Sequence, residues 1–454
     1  MKAIQHPHTL QATLQAPPQA PTNTGRHFPV IVIGGGQAGL SMSWHLKARG
    51  IPHLVLEKHR VGHEWRTRRW DTFCLVTPNW QCQLPGWPYR GSDPHGFMGR
   101  DEIVQWLEDY ARSFQPPLME GVSVTSLRRR SHGTFELDTT AGAFSADQVV
   151  IATGGYHGFQ LPRLADRLPL GVHQIHSSEY RNAEQLPAGA VLVIGSGQSG
   201  CQIAEDLHLA GRQVHLATGS APRTARFYRG RDVVDWLADL GYYDLPVHEH
   251  PLKEGVRAKA NHYVTGRGGG RDIDLRRFAA EGMALHGRLL EVEGMRLRFA
   301  DDLKANLDNA DAVAESIKTT IDKHIAAKGI AAPEEARYTP VWVPPADLPT
   351  TVDLNAANIT SVIWGTGFRS DYRWLEVPVF DGRGYPRHER GVTSMVGIYF
   401  LGLPWQYTWG SGRFSGVARD AEYLAGQIVG RMGAWMPGHH DATGERVNAV
   451  ALGS

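Results

Sequence analysis

The stretch from Pro29 to Leu40, PVIVIGGGQAGL, constrains the fold more than any other part of the chain. A run of large apolar residues, three glycines and a helix-compatible segment to Arg49, stopped by Gly50, read as a buried strand, a tight turn and a helix. Gly34, Gly36 and Gly39 stand at the spacing of a dinucleotide-binding turn. One glycine makes the bend, one lets the backbone approach a pyrophosphate, and one lets the helix pack on the strand. With Gln37 and Ala38, the turn aims amide N–H groups and the positive end of a helix dipole at negative charge. The next apolar run, His53 to Leu56, ends at Glu57, eighteen residues beyond Gly39, where a carboxylate can accept both ribose hydroxyls.

The same signature recurs at residues 190–200 (AVLVIGSGQSG), with Gly195, Gly197 and Gly200 as its glycines and Gln198 and Ser199 between them. Here the eighteen-residue offset lands on Thr218 and not on an acid. A carboxylate would repel the extra phosphate of NADPH, so its absence, with Arg212, Arg223 and Arg226 nearby, favours the phosphorylated cofactor. Arg223 is the candidate phosphate contact. Two dinucleotide sites in one chain imply electron transfer between their ligands.

A chain of 454 residues exceeds one ordinary core. The expected fold is α/β, with two dinucleotide-binding, Rossmann-like domains. Residues 1–27, rich in Gln, Pro and Thr, read as a disordered tail. The first domain is expected over 28–160 and resumes at 345–454, with the second inserted at 161–344 and carrying a polar helix at about 301–329. The aromatic, proline-bearing stretch from Val61 to Tyr89 lines or wraps a site. Ala152-Thr153-Gly154 and Gly365-Thr366-Gly367 end strands in small residues, as beside a large ligand.

Lysine plus arginine number 47 against 46 acidic residues, which removes the electrostatic basis for binding nucleic acid or a membrane surface. No apolar run approaches the roughly 20 residues needed to span a bilayer. Cys74, Cys82 and Cys201 are too few for a disulfide framework and too scattered for zinc, and Cys74 and Cys82 are not spaced as a redox pair. His248-Glu249-His250 lacks a third ligand and reads as surface loop. The expectation is a soluble, cytoplasmic protein without a metal that acts on small molecules; a homodimer is compatible with it.

The GGGQAG turn with Glu57, the Trp65-Arg66 pair, the ATG of 152–154, the GSGQSG turn and the GTGF of 365–368 together resemble the flavin-containing monooxygenase superfamily, the class B flavoprotein monooxygenases. More narrowly, the chain is similar to bacterial flavoproteins described in terms of potassium or heavy-metal transport. The resemblance runs from about Pro29 to about Ile428. It implies FAD on the first turn and NADPH on the second, and adds Trp65, Arg66, Thr77, Val124, Ala152, Thr153, Gly154 and Gly367 as cofactor-binding positions. It also implies NADPH- and O2-dependent oxygenation of a small organic substrate at nitrogen or sulfur, through a flavin C4a-hydroperoxide.

Two departures qualify the match. In the family's Phe-x-Gly-x-x-x-His-x-x-x-aromatic run, His176 and Tyr180 agree while Leu170 and Val172 replace Phe and Gly, which counts against Baeyer–Villiger oxygenation. Many members set an asparagine beside the flavin in a Thr-Asn pair, whereas this chain reads Thr77-Pro78-Asn79; Asn79 is the catalytic candidate, displaced by one position. A Baeyer–Villiger enzyme, an NADPH oxidase or reductase without oxygen insertion, and a redox-sensing flavoprotein remain the alternatives.

Overall fold

The computed structural model describes residues 26–435. Its first sheet starts with β1 (His27–Ile33), in which Val30, Ile31 and Val32 are fully buried. A strand apolar on both faces needs cover on both, the condition met in parallel sheets. From it α1 (Gln37–Ala48) leads to β2 (His53–Leu56), parallel to β1 with Val30 opposite His53. Next, α2 (Arg100–Phe114) begins at Gly99, whose N–H donates to the Glu102 carboxylate at 2.7 Å, and β3 (Leu118–Met119) then joins β2. β4 (Val124–Arg129), β5 (Phe135–Thr139) and β6 (Gly142–Ile151) form an antiparallel meander whose last strand continues as the parallel neighbour of β1.

The second sheet is wholly parallel. It contains β7 (His173–His176), β8 (Ala190–Ile194), which is followed by α3 (Gln198–Leu209), then β9 (Val214–Ala217) and β10 (Ala284–His286). The polar helix expected at about 301–329 is α4 (Leu303–Lys328), stopped by Gly329 at φ +61°. Its Leu303, Leu307 and Ala310 join the second core, while Ile321 and Ile325 pack with Tyr228 and Trp236. The last strand, β11 (Ile359–Trp364), enters between β7 and β8, giving the order β7-β11-β8-β9-β10.

That pairing corrects the expected boundary. The second unit does not end at 344 but continues through Trp364, because β11 bonds to β7 and β8. The chain returns to the first sheet with β12 (Leu375–Glu376) beside β4 and β13 (Ile398–Phe400) beside β6. It then ends its described part in α5 (Val417–Trp435), whose Leu424 and Ile428 share a core with Leu40, Met42 and Leu46 of α1. The two crossings are tied together where Gly158–Phe159 pairs antiparallel with Phe368–Arg369. Of the tail expected over 1–27, residues 1–25 lie outside the described residues, and His27 already belongs to β1. Among the described residues, no helix is long and apolar enough to cross a membrane.

Candidate active site

β1 gives way to Gly34, whose φ of +109° suits glycine and few other residues. A Cβ there would stand 2.5 Å from the Ala152 carbonyl oxygen at the end of β6. One on Gly39 would stand 1.8 Å from the Gly34 carbonyl oxygen, so α1 reaches this position only without a side chain. Gly36 differs. Its φ of −76° suits any residue, and a Cβ would meet no described protein atom within 4 Å. No described protein group accounts for glycine there, at a helix start whose amide donors point outwards.

Glu57, just past β2, accepts from the Gly35 N–H at 2.6 Å and the His59 N–H at 2.8 Å. Its carboxylate is thereby fixed on the rim of the turn with lone pairs to spare. Half-buried Val124 opens β4 two residues after Val122, whose N–H donates to the Glu57 carbonyl at 2.9 Å. On the other side of β1, the Ala152 N–H donates to the Ile33 carbonyl at 2.8 Å. The Thr153 hydroxyl lies 3.1 Å from His157 Nε2, and Gly154 accepts from the Tyr372 hydroxyl at 3.0 Å. The structure thus gathers Gly34, Gly36, Gly39, Glu57 and residues 152–154 at the ends of three adjacent strands.

The second turn repeats the first. Gly195 has φ +103°, and a Cβ on it would stand 2.6 Å from the Gly365 carbonyl oxygen at the end of β11. One on Gly200 would stand 1.8 Å from the Gly195 carbonyl oxygen, and one on Gly197 would meet no described protein atom within 4 Å. Gln198 donates to the Val264 carbonyl at 2.6 Å, and Ser199 is half-buried beside it. Gly367, at φ +85°, accepts from His176 Nε2 at 3.0 Å.

The expected phosphate contacts are engaged elsewhere. Buried Thr218 donates its hydroxyl to the His286 carbonyl at 2.8 Å. Arg223 is buried, with Nε 2.6 Å from Asp311 and its guanidinium 4.2 Å over the Tyr338 ring. Arg226 pairs with Asp232 at 2.7 Å, and Arg212 spends its donors on the carbonyls of Ala183, Pro187 and Gly189. The assignment of Arg223 to a cofactor phosphate is therefore corrected, because an acid 88 positions away has claimed its guanidinium.

Between the two turns runs the aromatic stretch. Trp65 stacks on Phe414 with ring centroids 5.4 Å apart. Arg66 donates to Glu108 at 2.6 Å, while its buried Nε has no hydrogen-bond partner among the described residues. Thr77, in the same stretch of chain, is half-buried. Asn79 is corrected: its Oδ1 accepts from the Met98 N–H at 2.7 Å and its Nδ2 donates to the Asp93 carbonyl at 3.0 Å. Both ends of the amide brace its own loop, where the residue is buried.

The C-terminal loop closes on the first turn. Gln37 donates to the Gly412 carbonyl at 3.4 Å, and a Cβ on Gly402 would stand 2.8 Å from that of Ala38. This loop brings Phe414 onto Trp65, whose ring also carries the Arg69 guanidinium at 5.1 Å. Sequence reasoning missed Phe414, because its partner Trp65 lies about 350 positions away in the sequence.

Two glycines open to space at two helix starts, and a buried arginine nitrogen without a partner, fit a chain that holds two dinucleotides. The comparisons agree. The family described as pyridine nucleotide-disulphide oxidoreductase matches residues 31–239, which span both turns. The indole-3-pyruvate monooxygenase YUCCA4 of Oryza sativa subsp. japonica is 29% identical over 194 residues, covering 39% of this chain and 44% of that one. In fold, the chain resembles a flavin-containing monooxygenase from Stenotrophomonas maltophilia with a TM-score of 0.62 at 19% identity, over 90% of this chain and 99% of the other. An uncharacterised CzcO-like oxidoreductase of Geobacillus kaustophilus is 34% identical over 407 residues, 88% of this chain and 98% of its relative. On that near-complete match, the chain belongs with the CzcO-like oxidoreductases, flavin-dependent enzymes of the flavin monooxygenase superfamily.

Proposed function

We propose that the chain carries FAD on its first turn and NADPH on its second, and inserts one oxygen atom of O2 into a small organic molecule at nitrogen or sulfur. The observation that carries this reading is the pair of open glycines, Gly36 and Gly197, each at the start of a helix in its own Rossmann-like unit. When bound, the flavin supplies the redox and oxygen chemistry. Glu57 would hold ribose hydroxyls, Arg66 Nε would donate to the dinucleotide, and Trp65 and Phe414 would exclude water from the reacting centre. Thr218 supports NADPH by leaving no carboxylate where a 2′-phosphate would sit.

The matched family's description includes disulphide chemistry, and the cysteines argue against it here. Burial pushes the Cys74 thiol up to about 11 and Cys82 up to about 12, and it raises Cys201 as well. A thiolate is the reactive form, and at neutral pH such groups supply almost none. The test is to purify the protein, measure its bound flavin, and follow NADPH oxidation under isotopically labelled dioxygen with amine and thioether substrates. Label in the product supports the reading; NADPH consumption that yields only hydrogen peroxide across the panel would sink it.

A further inference from the structure

A solvent-open cavity of about 670 Å³, a volume typical of small-ligand pockets, lies on the seam between the two units. Trp80 and His95 of the first unit form one wall, and Phe227, Arg231, Asp235 and Asp239 of the second form the other. None of its lining residues belongs to either glycine turn, to the strand ends beside them, or to the stack of Trp65 on Phe414. Each wall is shaped by bonds within its own unit. The Trp80 N–H donates to the Pro94 carbonyl at 2.8 Å, which sets His95 beside the tryptophan. Opposite, Phe227–Tyr228 and Arg231–Asp232 pair as a hairpin that runs into the short helix Val233–Asp239. Asp235 and Asp239 stand four apart, on one face of that helix.

Charge across this cavity does not cancel. The lining acid Asp232 pairs with Arg226 at 2.7 Å, both buried, and Asp239 pairs with Arg231 at 2.7 Å on the more exposed rim. Arg231 also lies 4.1 Å over the Trp236 ring. Asp235 makes no ion pair with a lysine or arginine among the described residues. Its Oδ1 accepts from the Trp80 indole N–H at 2.8 Å, and its Oδ2 stands 3.4 Å from Nδ1 of exposed His95. Each oxygen keeps a lone pair for a further donor. The Asp235 side chain is only 12% exposed, so solvent screens its charge less than it would on an open surface.

Two aromatic side chains line the same space: Phe227, 48% exposed, and half-buried Trp80. A carboxylate without a cation and accessible aromatic faces attract the same kind of guest, one that carries positive charge. A metal ion is not that guest, because no group of three or more His, Cys, Asp or Glu side chains among the described residues could hold one. We propose that the seam cavity is a second small-molecule site, separate from the reacting centre, for an organic cation. Its ammonium group would meet Asp235, and its aromatic or apolar body would lie against Trp80 and Phe227. Because the walls come from both units, an occupant fastens one to the other and stabilises the folded chain. The assignment does not rest on the monooxygenase reading.

The test titrates the purified full chain with 2-phenylethylamine, a cation at neutral pH, and with 2-phenylethanol, its neutral counterpart, reading heat of binding and melting temperature. The amine is expected to bind roughly fivefold tighter than the alcohol or better, and to raise the melting temperature. Equal affinity for the two, or no binding of the amine, would overturn the proposal. Asp235→Asn keeps an acceptor for the Trp80 indole but removes the charge, and should erase the preference. Phe227→Lys puts a cation into the cavity and should weaken the amine by roughly fivefold or more. Because Phe227 is largely exposed, this variant decides the matter if the asparagine variant does not fold. Unchanged amine binding in a folded form of either variant would place the amine elsewhere, the reacting centre included, and would overturn the proposal. Failure to incorporate labelled oxygen would defeat the proposed function alone, since calorimetry reads this site without turnover.

Discussion

Asp206, on the helix that follows the second turn, accepts a 2.6 Å hydrogen bond from the Thr72 hydroxyl of the first domain's aromatic stretch. The same carboxylate accepts from the Tyr180 hydroxyl at 2.7 Å and pairs with Arg267 at 2.6 Å. One buried acid therefore ties the helix that starts the second site to the wall of the first. Asp206→Ala should lower stability by about 2 to 4 kcal/mol, less than a fully buried pair because Arg267 is partly exposed. Urea unfolding measures this, and flavin reduction by NADPH should slow in the same variant. A stability equal to wild type would show that the tie is idle.

The glycines of each turn should separate by role. Gly36→Val is expected to abolish flavin binding, and Gly197→Val to leave flavin bound but unreduced by NADPH, each with stability within about 1 kcal/mol of wild type. Gly39→Ala and Gly200→Ala should fail to fold, because each new Cβ would stand 1.8 Å from a carbonyl oxygen. Absorbance spectra and melting curves of the four variants decide it, and a Gly36→Val protein with full flavin would count against a ligand at that helix start.

Arg223→Leu leaves Asp311 with Arg276, 2.8 Å away, as its remaining partner. The expected cost is about 2 to 4 kcal/mol of stability. The ratio of KM for NADPH to that for NADH should stay within twofold of wild type. A selective rise for NADPH would restore Arg223 to a phosphate role.

Asn79→Ala breaks the brace to Asp93 and Met98 and should cost about 1 to 3 kcal/mol. At a temperature where the variant is folded, kcat should be close to that of wild type. A large fall in kcat at full stability is the outcome that would return Asn79 to the chemistry.

His215 and His286 lie in adjacent strands with ring nitrogens 3.0 Å apart and rings parallel to within 3°. Burial, then the charge of His215, holds His286 down at about 3, and burial lowers His215 as well. An unfolded histidine titrates near 6.5, so below that pH the unfolded chain binds protons that the folded pair refuses. Their contribution to stability is full above pH 6.5 and falls with pH by about 1.4 kcal/mol per unit per histidine, until the folded groups protonate. His286→Phe, which preserves stacking on Phe299, should flatten the fall in urea midpoint between pH 7 and pH 5. Some slope will remain, since burial also holds His45 and His388 at about 4. Identical slopes for variant and wild type would exclude the pair as its source.

The parts legible in the sequence are those whose cause is local. Both turns follow from apolar run, glycine spacing and helix start within a dozen residues, and α4 follows from its apolar stripe and Gly329. The strand Ile359–Trp364 was recognisable as a strand but not assignable to a sheet, because burial on both faces does not say which neighbours supply the hydrogen bonds. Arg223 looked free because Asp311 is invisible from position 223, and Asn79 looked chemical because its two backbone partners lie on the far side of a loop.

The split first sheet also sets an order of events during synthesis. Residues 173–364, which hold the whole second sheet, leave the ribosome as one uninterrupted segment and have every strand needed to fold at once. The N-terminal strands emerge earlier yet must wait, since Leu40, Met42 and Leu46 find their cover on α5 and the turn itself is capped by the loop at Gly402 and Gly412. The first turn therefore reaches its final setting only after the C-terminal loop has been made, whereas the second turn needs nothing beyond Trp364.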